Sequence, residues 1–248
     1  MIKDRSRPDK QVYSNYTAED FKVWQTLYNR QYDAVLLNGS KDYIKALEAI
    51  KFSPDRIPDF IEVNQLLNKL TGWQLNTVPC ISPPQTFFKL LSEKRFTATC
   101  WLRSFAELDY IEEPDMFHDV FGHAPLLTNS DYVLFFKAIG EMGVKHINNE
   151  KVILMLQRLY WFTIEFGLIR EDGAVKFYGA GIISSKSETA HAFNPQSIKH
   201  DFDVAEILSH PFRTDIIQEE YYVIESFSQL SDSIAEIERE ILKNDYPL

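Results

Sequence analysis

Val152-Ile-Leu-Met-Leu-Gln-Arg-Leu-Tyr-Trp-Phe-Thr-Ile-Glu-Phe-Gly-Leu-Ile169 is the stretch on which the fold turns. It runs for eighteen residues without proline and carries only two charges, Arg158 and Glu165. That is too long for one strand, so the run predicts a buried helix. Glu165 lies among Ile164, Phe166, Leu168 and Ile169, and no rotation of a helix gives it a polar surround. A buried carboxylate is costly unless it is paired or bound to a cation. Arg158 lies seven residues away, beyond the reach of an i,i+4 pair. An ion pair with Arg158, or a place at the helix edge, is the plain alternative to metal ligation.

Outward from this run the chain reads as mostly helical. From 130 to 169 two long segments show helical spacing, interrupted near Gly143–Asn149. Thr17-Ala-Glu-Asp20 reads as a helix start, followed by Phe21, Trp24, Leu27 and Tyr28 on one face. Pro58-Asp59 opens another helix, which runs to Leu70 and stops at Gly72. Residues 73–79 and 96–102 read as short strands around a proline-started helix over 83–95, and 175–183 as a strand and a turn. Residues 226–243 read as a polar amphipathic helix. No repeat or linker divides the chain. The expected fold is mostly α with a few short β-strands (α+β), with residues 1–16 a flexible amino-terminal segment and 17–248 a single domain.

Composition excludes several classes. The 248 residues carry 26 basic and 36 acidic side chains, a net charge of −10, and no basic stripe of the kind that phosphate backbones require. No apolar run reaches the length of a membrane-spanning helix. The start, MIKDRSRPDKQ, lacks the apolar core of a secretory signal. Cys80 and Cys100 form no CxxC pair. The expectation is a cytoplasmic protein that binds neither nucleic acid nor membrane.

The second informative stretch is Pro114-Asp-Met-Phe-His-Asp-Val-Phe-Gly-His-Ala-Pro125. On a regular helix, residues five apart diverge by roughly 140°, so His118 and His123 do not share a face as the histidines of a HExxH zinc helix do. Gly122 offers a left-handed helix end and Pro125 prevents continuation, which would let both rings face one point. Two histidines and Glu165 then form either the facial triad of non-haem Fe(II) oxygenases or the ligand set of a zinc hydrolase, with Asp119 or Glu188 as its general base. Ligand chemistry alone does not choose between them.

With these residues in place, the sequence resembles the pterin-dependent aromatic amino acid hydroxylases, closest to their bacterial members. The resemblance rests on Ile57-Pro-Asp-Phe60 with Val63-Asn64, Leu70-Thr-Gly-Trp73, the run Leu108–Leu126, Leu159-Tyr-Trp-Phe-Thr-Ile-Glu-Phe-Gly-Leu-Ile-Arg170 and Tyr178-Gly-Ala-Gly-Ile-Ile-Ser-Ser-Lys186. It implies a catalytic domain over 17–248 that hydroxylates L-phenylalanine at carbon 4, with tryptophan or another arylalanine as the alternative substrate. It implies Fe(II), tetrahydrobiopterin or a related tetrahydropterin, and O₂ as co-substrate. His118, His123 and Glu165 become the iron ligands. Arg103 holds the substrate carboxylate, Pro114 and Trp161 line the aromatic pocket, and Tyr110 lies near the substrate. Ser184 supports an iron-bound histidine, and Glu188 is an acid of the outer layer. Phe87 stacks on the pterin, the loop with Ile81 and Ser82 supplies backbone contacts to it, and Asp119 lies near it.

Ser187 departs from the glycine usual after Ser-Ser-Lys, and His191 is not expected to be a fourth ligand. Gly179 and Gly181 suggest a dinucleotide loop, but no third glycine or βαβ unit accompanies them. Read as complete, the chain leaves no room for a regulatory domain or a tetramerisation helix, so the resemblance implies a monomer.

Overall fold

Thr17 caps helix α1 (Ala18–Asn38): its hydroxyl accepts from the Asp20 N–H, and the Asp20 carboxylate accepts from the Thr17 N–H. The computed structural model describes residues 7–109 and 111–245. Helices α2 (Lys41–Ile50) and α3 (Phe60–Leu70) follow, and α3 ends at Gly72, whose φ of 78° supplies the left-handed residue the sequence predicted there. Strand β1 (Gln74–Thr77), helix α4 (Pro84–Ser92) and strand β2 (Arg95–Ala98) form a parallel two-stranded unit with its crossover helix, Leu75 opposite Phe96. Both strands and the helix are shorter than the sequence pattern suggested.

Residues 7–16, expected to fray, are tied down instead. The Gln11 side chain donates to the Pro58 carbonyl at 2.9 Å and accepts from the Phe60 N–H at 2.8 Å. The Tyr16 hydroxyl donates to the Cys100 carbonyl at 2.7 Å.

Helices α5 (Ser130–Lys145) and α6 (Glu150–Tyr160) form the long helical layer. Helix α5 passes straight through Gly143, where a Cβ would lie 2.2 Å from the Phe88 ring; the missing side chain lets α4 pack against α5. Beyond Tyr160 the predicted helix is corrected. Residues Trp161–Glu165 form a π-helical turn, and strand β3 (Leu168–Glu171) follows where helix was expected. Strand β4 (Ala174–Phe177) pairs antiparallel with β3, and helices α7 (Ala180–Ser184) and α8 (Lys186–Ala192) come next. Strand β5 (Ile198–Asp201), helix α9 (Val204–Ser209) and strand β6 (Glu220–Ile224) complete a four-stranded sheet in the order β4-β3-β6-β5, with β3, β6 and β5 mutually parallel. Helices α10 (Phe227–Asp232) and α11 (Ile234–Asp245) close the described chain.

Buried aromatics hold this frame. Trp24 of α1 meets Phe117 at 5.5 Å between ring centroids, and Phe117 stacks on Phe121 at 4.7 Å. Each such ring contributes about 4–6 kcal/mol of burial before entropy is counted, at about 25 cal/mol per Å². The cluster backs the segment that carries both histidines. No described helix is long and apolar enough to cross a membrane.

Candidate active site

Phe117–His123 is a second π-helical turn. Hydrogen bonding from i to i+5 stacks residues five apart, so His118 and His123 share one face where an α-helix would have parted them. The expected left-handed exit at Gly122 is thereby corrected: among the described glycines only Gly72 and Gly173 have positive φ. Ala124 continues in right-handed conformation, and Pro125 opens a short 3₁₀ turn. The Tyr43 hydroxyl donates to the Phe121 carbonyl and pins the turn from outside.

The π turn at Trp161–Glu165 does the same for the acid. Glu165 comes within 3.2 Å of His123 Nε2 and 3.5 Å of His118 Nε2, and the two Nε2 atoms lie 3.3 Å apart. A metal ion with ligands at about 2.0–2.2 Å holds neighbouring donors about 3.0–3.5 Å apart in octahedral or tetrahedral geometry. The three donors fit one divalent cation, and two imidazoles with a carboxylate suit iron or zinc. Among the described residues this is the only such group, and His191 is not part of it. Arg158 is no competitor, since it donates to the Leu208 carbonyl at 3.0 Å.

Electrostatics follow from the burial. Burial alone would raise the Glu165 carboxyl, but His123 and His118 hold it well below the usual range. Burial pushes His118 down, but Glu165 together with Asp119 and Asp115 raises it on balance. Ser184 Oγ lies 2.8 Å from His118 Nδ1 and fixes that ring. Gly179 packs on the Glu165 carbonyl, where a Cβ would sit at 2.4 Å; its glycine serves close approach, and the dinucleotide reading falls.

A cavity of about 760 Å³ opens on the triad. Ile81, Ser82, Phe87, Arg103, Pro114, Asp119, Trp161, Ser184 and Glu188 all line it, so the structure brings together every expected site residue it describes. Tyr110 lies outside the described residues. Burial raises the Asp119 carboxyl against the pull of His118 and Thr99, whose N–H donates to it at 2.7 Å. Burial also pushes Glu188 up to about 7, although the Gln218 N–H pulls it down.

Other residues of the site escaped the sequence reading. Asp115 is fully buried and accepts from Arg103 Nε and Nη2 at 2.9 and 2.8 Å. Tyr160, five residues before Glu165, is buried close enough to that carboxylate for its charge to raise the phenol, after burial itself; the same i to i+5 geometry brings it there. The irregular segment carrying Phe212 and Thr214–Ile217 walls the cavity, and no periodicity marks it.

The family model for biopterin-dependent aromatic amino acid hydroxylases matches residues 7–246. The chain belongs to that family. Among curated relatives, the hydroxylase is 42% identical over 226 residues to phenylalanine-4-hydroxylase of Chromobacterium violaceum, covering 91% of this chain and 76% of the relative. It is 38% identical to phenylalanine-4-hydroxylase of Pseudomonas aeruginosa, over 90% of this chain and 85% of that one. A crystal structure of the Chromobacterium violaceum enzyme with bound iron(III) and oxidised 7,8-dihydrobiopterin superposes with a TM-score of 0.88 at 40% identity, covering 95% of this chain and 85% of that one. The hydroxylase thus has the fold of these relatives, and membership of the biopterin-dependent family removes the zinc-hydrolase reading.

Proposed function

We propose that this hydroxylase converts L-phenylalanine to L-tyrosine with O₂ and a tetrahydropterin, at Fe(II) held by His118, His123 and Glu165. The observation that carries the reading is the triad itself, three donors at 3.2–3.5 Å opening on a cavity large enough for substrate and pterin side by side. The relatives named phenylalanine-4-hydroxylase favour phenylalanine over tryptophan. Iron held by these three residues, with a tetrahydropterin beside it, would supply the activation of O₂ needed to hydroxylate carbon 4 of the ring.

The chain's own residues bind and orient. Arg103 spends the Nε edge of its fork on Asp115, which leaves the Nη1 edge for the substrate carboxylate. Pro114 and Trp161 wall the aromatic side chain, and Tyr110 joins them. Phe87 offers its ring face to the pterin while its ring stands nearly perpendicular to that of Tyr160, centroids 5.3 Å apart, and Ile81 and Ser82 supply the loop beneath. Ser184 keeps the His118 ring in its ligating orientation. Glu188 can hold or release a proton near neutral pH, and Asp119 keeps the pterin side of the site polar. No residue need act as a nucleophile; orientation carries the rate.

A complete triad within one chain supports action as a monomer, and two free cysteines suit a reducing cytoplasm. The test is iron content together with phenylalanine-dependent tetrahydropterin oxidation. One iron per chain and stoichiometric tyrosine are expected; iron-loaded protein that forms no tyrosine overturns the reading.

A further inference from the structure

Gln218 stands where the irregular segment after α9 enters β6, only 7% exposed, with every polar group engaged. Its Oε1 accepts from the Trp161 indole N–H at 2.9 Å, and its Nε2 donates to the Glu220 carbonyl at 2.6 Å. Its main-chain N–H reaches both Glu188 carboxylate oxygens at 3.3 Å, and its carbonyl accepts from the Tyr221 hydroxyl at 2.7 Å. One residue thus joins the π turn of Glu165, helix α8 and the sheet.

The indole meets Phe166 at 4.6 Å and stacks on Phe212 at 5.0 Å between centroids. Apolar contacts are non-directional and leave a flat ring free to slide. The hydrogen bond to Gln218 is directional and fixes the ring in its plane. We propose that Gln218 is a positioning residue which locks the Trp161 indole and so sets the width of the aromatic pocket, admitting a benzyl side chain and rejecting a bicyclic one. The inference rests on the assignment of Trp161 to the substrate wall.

The test compares Gln218→Met, which keeps the shape without polar atoms, with Gln218→Glu, which keeps the acceptor, and with Trp161→Phe, which removes the N–H. The kcat/KM ratio of L-phenylalanine to L-tryptophan should fall about tenfold in Gln218→Met, as expected when a buried donor loses its partner. Gln218→Glu should restore most of it, and Trp161→Phe should lower it about as much as Gln218→Met. In the Trp161→Phe background, Gln218→Met should change the ratio little further.

A second readout needs no turnover: the Trp161 indole N–H resonance, identified by its loss in Trp161→Phe, should exchange slowly with solvent in the wild type and fast in Gln218→Met. Phenylalanine should shift it. An unchanged ratio in folded Gln218→Met, even with a lowered Tm, would show a merely structural anchor and overturn the proposal. An unchanged ratio in Trp161→Phe overturns it equally. Wild type that makes no tyrosine but shows a phenylalanine-shifted, protected indole overturns the activity and leaves the positioning intact.

Discussion

Replacing Asp115 by asparagine probes the contact on which substrate anchoring depends. Asp115 is fully buried and accepts four hydrogen bonds, from Arg103 N, Nε and Nη2 and from the His118 N–H. Asparagine keeps the shape but loses the charge and presents an amide N–H₂ to a guanidinium. The Arg103 side chain is itself only 6% exposed, so solvent cannot take over. Breaking a buried pair by removing one partner costs about 3–5 kcal/mol. At about 2–4 °C per kcal/mol for a chain of this size, the Tm should fall by about 6–20 °C.

The pH dependence carries a sign. Burial alone would raise the Asp115 carboxyl, but Arg103 and the donated N–H groups hold it below the usual carboxylate range. Its stabilisation is therefore present above about pH 4 and lost as pH falls through the lower folded value. Urea unfolding of wild type and Asp115→Asn, at neutral pH and in steps toward pH 3, should show a gap that narrows in acid. Because the freed Arg103 fork swings, the KM for phenylalanine should also rise. A loss below about 1 kcal/mol at neutral pH would refute the reasoning, since it would mean that the pair is no better than an exposed one. Arg103→Ala is the poorer test, because it strands a buried carboxylate and mixes unfolding with lost anchoring.

His123→Ala should bind no iron by metal analysis and form no tyrosine, while Ser184→Ala should keep its fold and lose about 10–100-fold in iron affinity; full affinity would remove Ser184 from the support of His118. Phe87→Ala should raise the tetrahydropterin KM about 2- to 13-fold, from about 0.5–1.5 kcal/mol of lost stacking, with iron content unchanged; equal pterin KM values would place the cofactor elsewhere. For Glu188, burial raises the folded value to about 7, above the unfolded one, so its contribution is complete below about pH 4 and fades as pH rises through 7. Glu188→Gln should therefore gain on wild type by about 1–3 kcal/mol between acid and about pH 8, and parallel stability curves would sink this account.

Local chemistry made the element ends legible. Thr17, Gly72 and Pro84 act within one turn of chain, and each starts or stops a helix where side-chain or φ preference demands it. What depended on distant partners was not legible. Strand β3 continues an apolar run that reads as helix, and it is strand because Leu168 pairs with Phe177 and Val223. The resemblance puts Arg103 on the substrate carboxylate, and nothing in Trp101-Leu-Arg103 announces Asp115 as its partner. Gln218 sits in a segment without period, so only its hydrogen bonds reveal it.

The cost of burying Glu165 points to the proposed ligands, while the geometry that joins them differs from the one expected. Ideal α-helical spacing set His118 against His123 and hid Tyr160 from Glu165, since both pairs are five residues apart. Two separate π turns remove both conflicts, and each is held by contacts outside its own segment: the Tyr43 hydroxyl on Phe121, and Gly179 against Glu165. Local sequence preference favours the i to i+4 helix at both sites, so the tertiary frame imposes the extra residue per turn. In this chain the five-residue spacing brings the donors together because Gly122 packs against Ala180 and Gly179 against the Glu165 carbonyl, so that a second element presses on each turn.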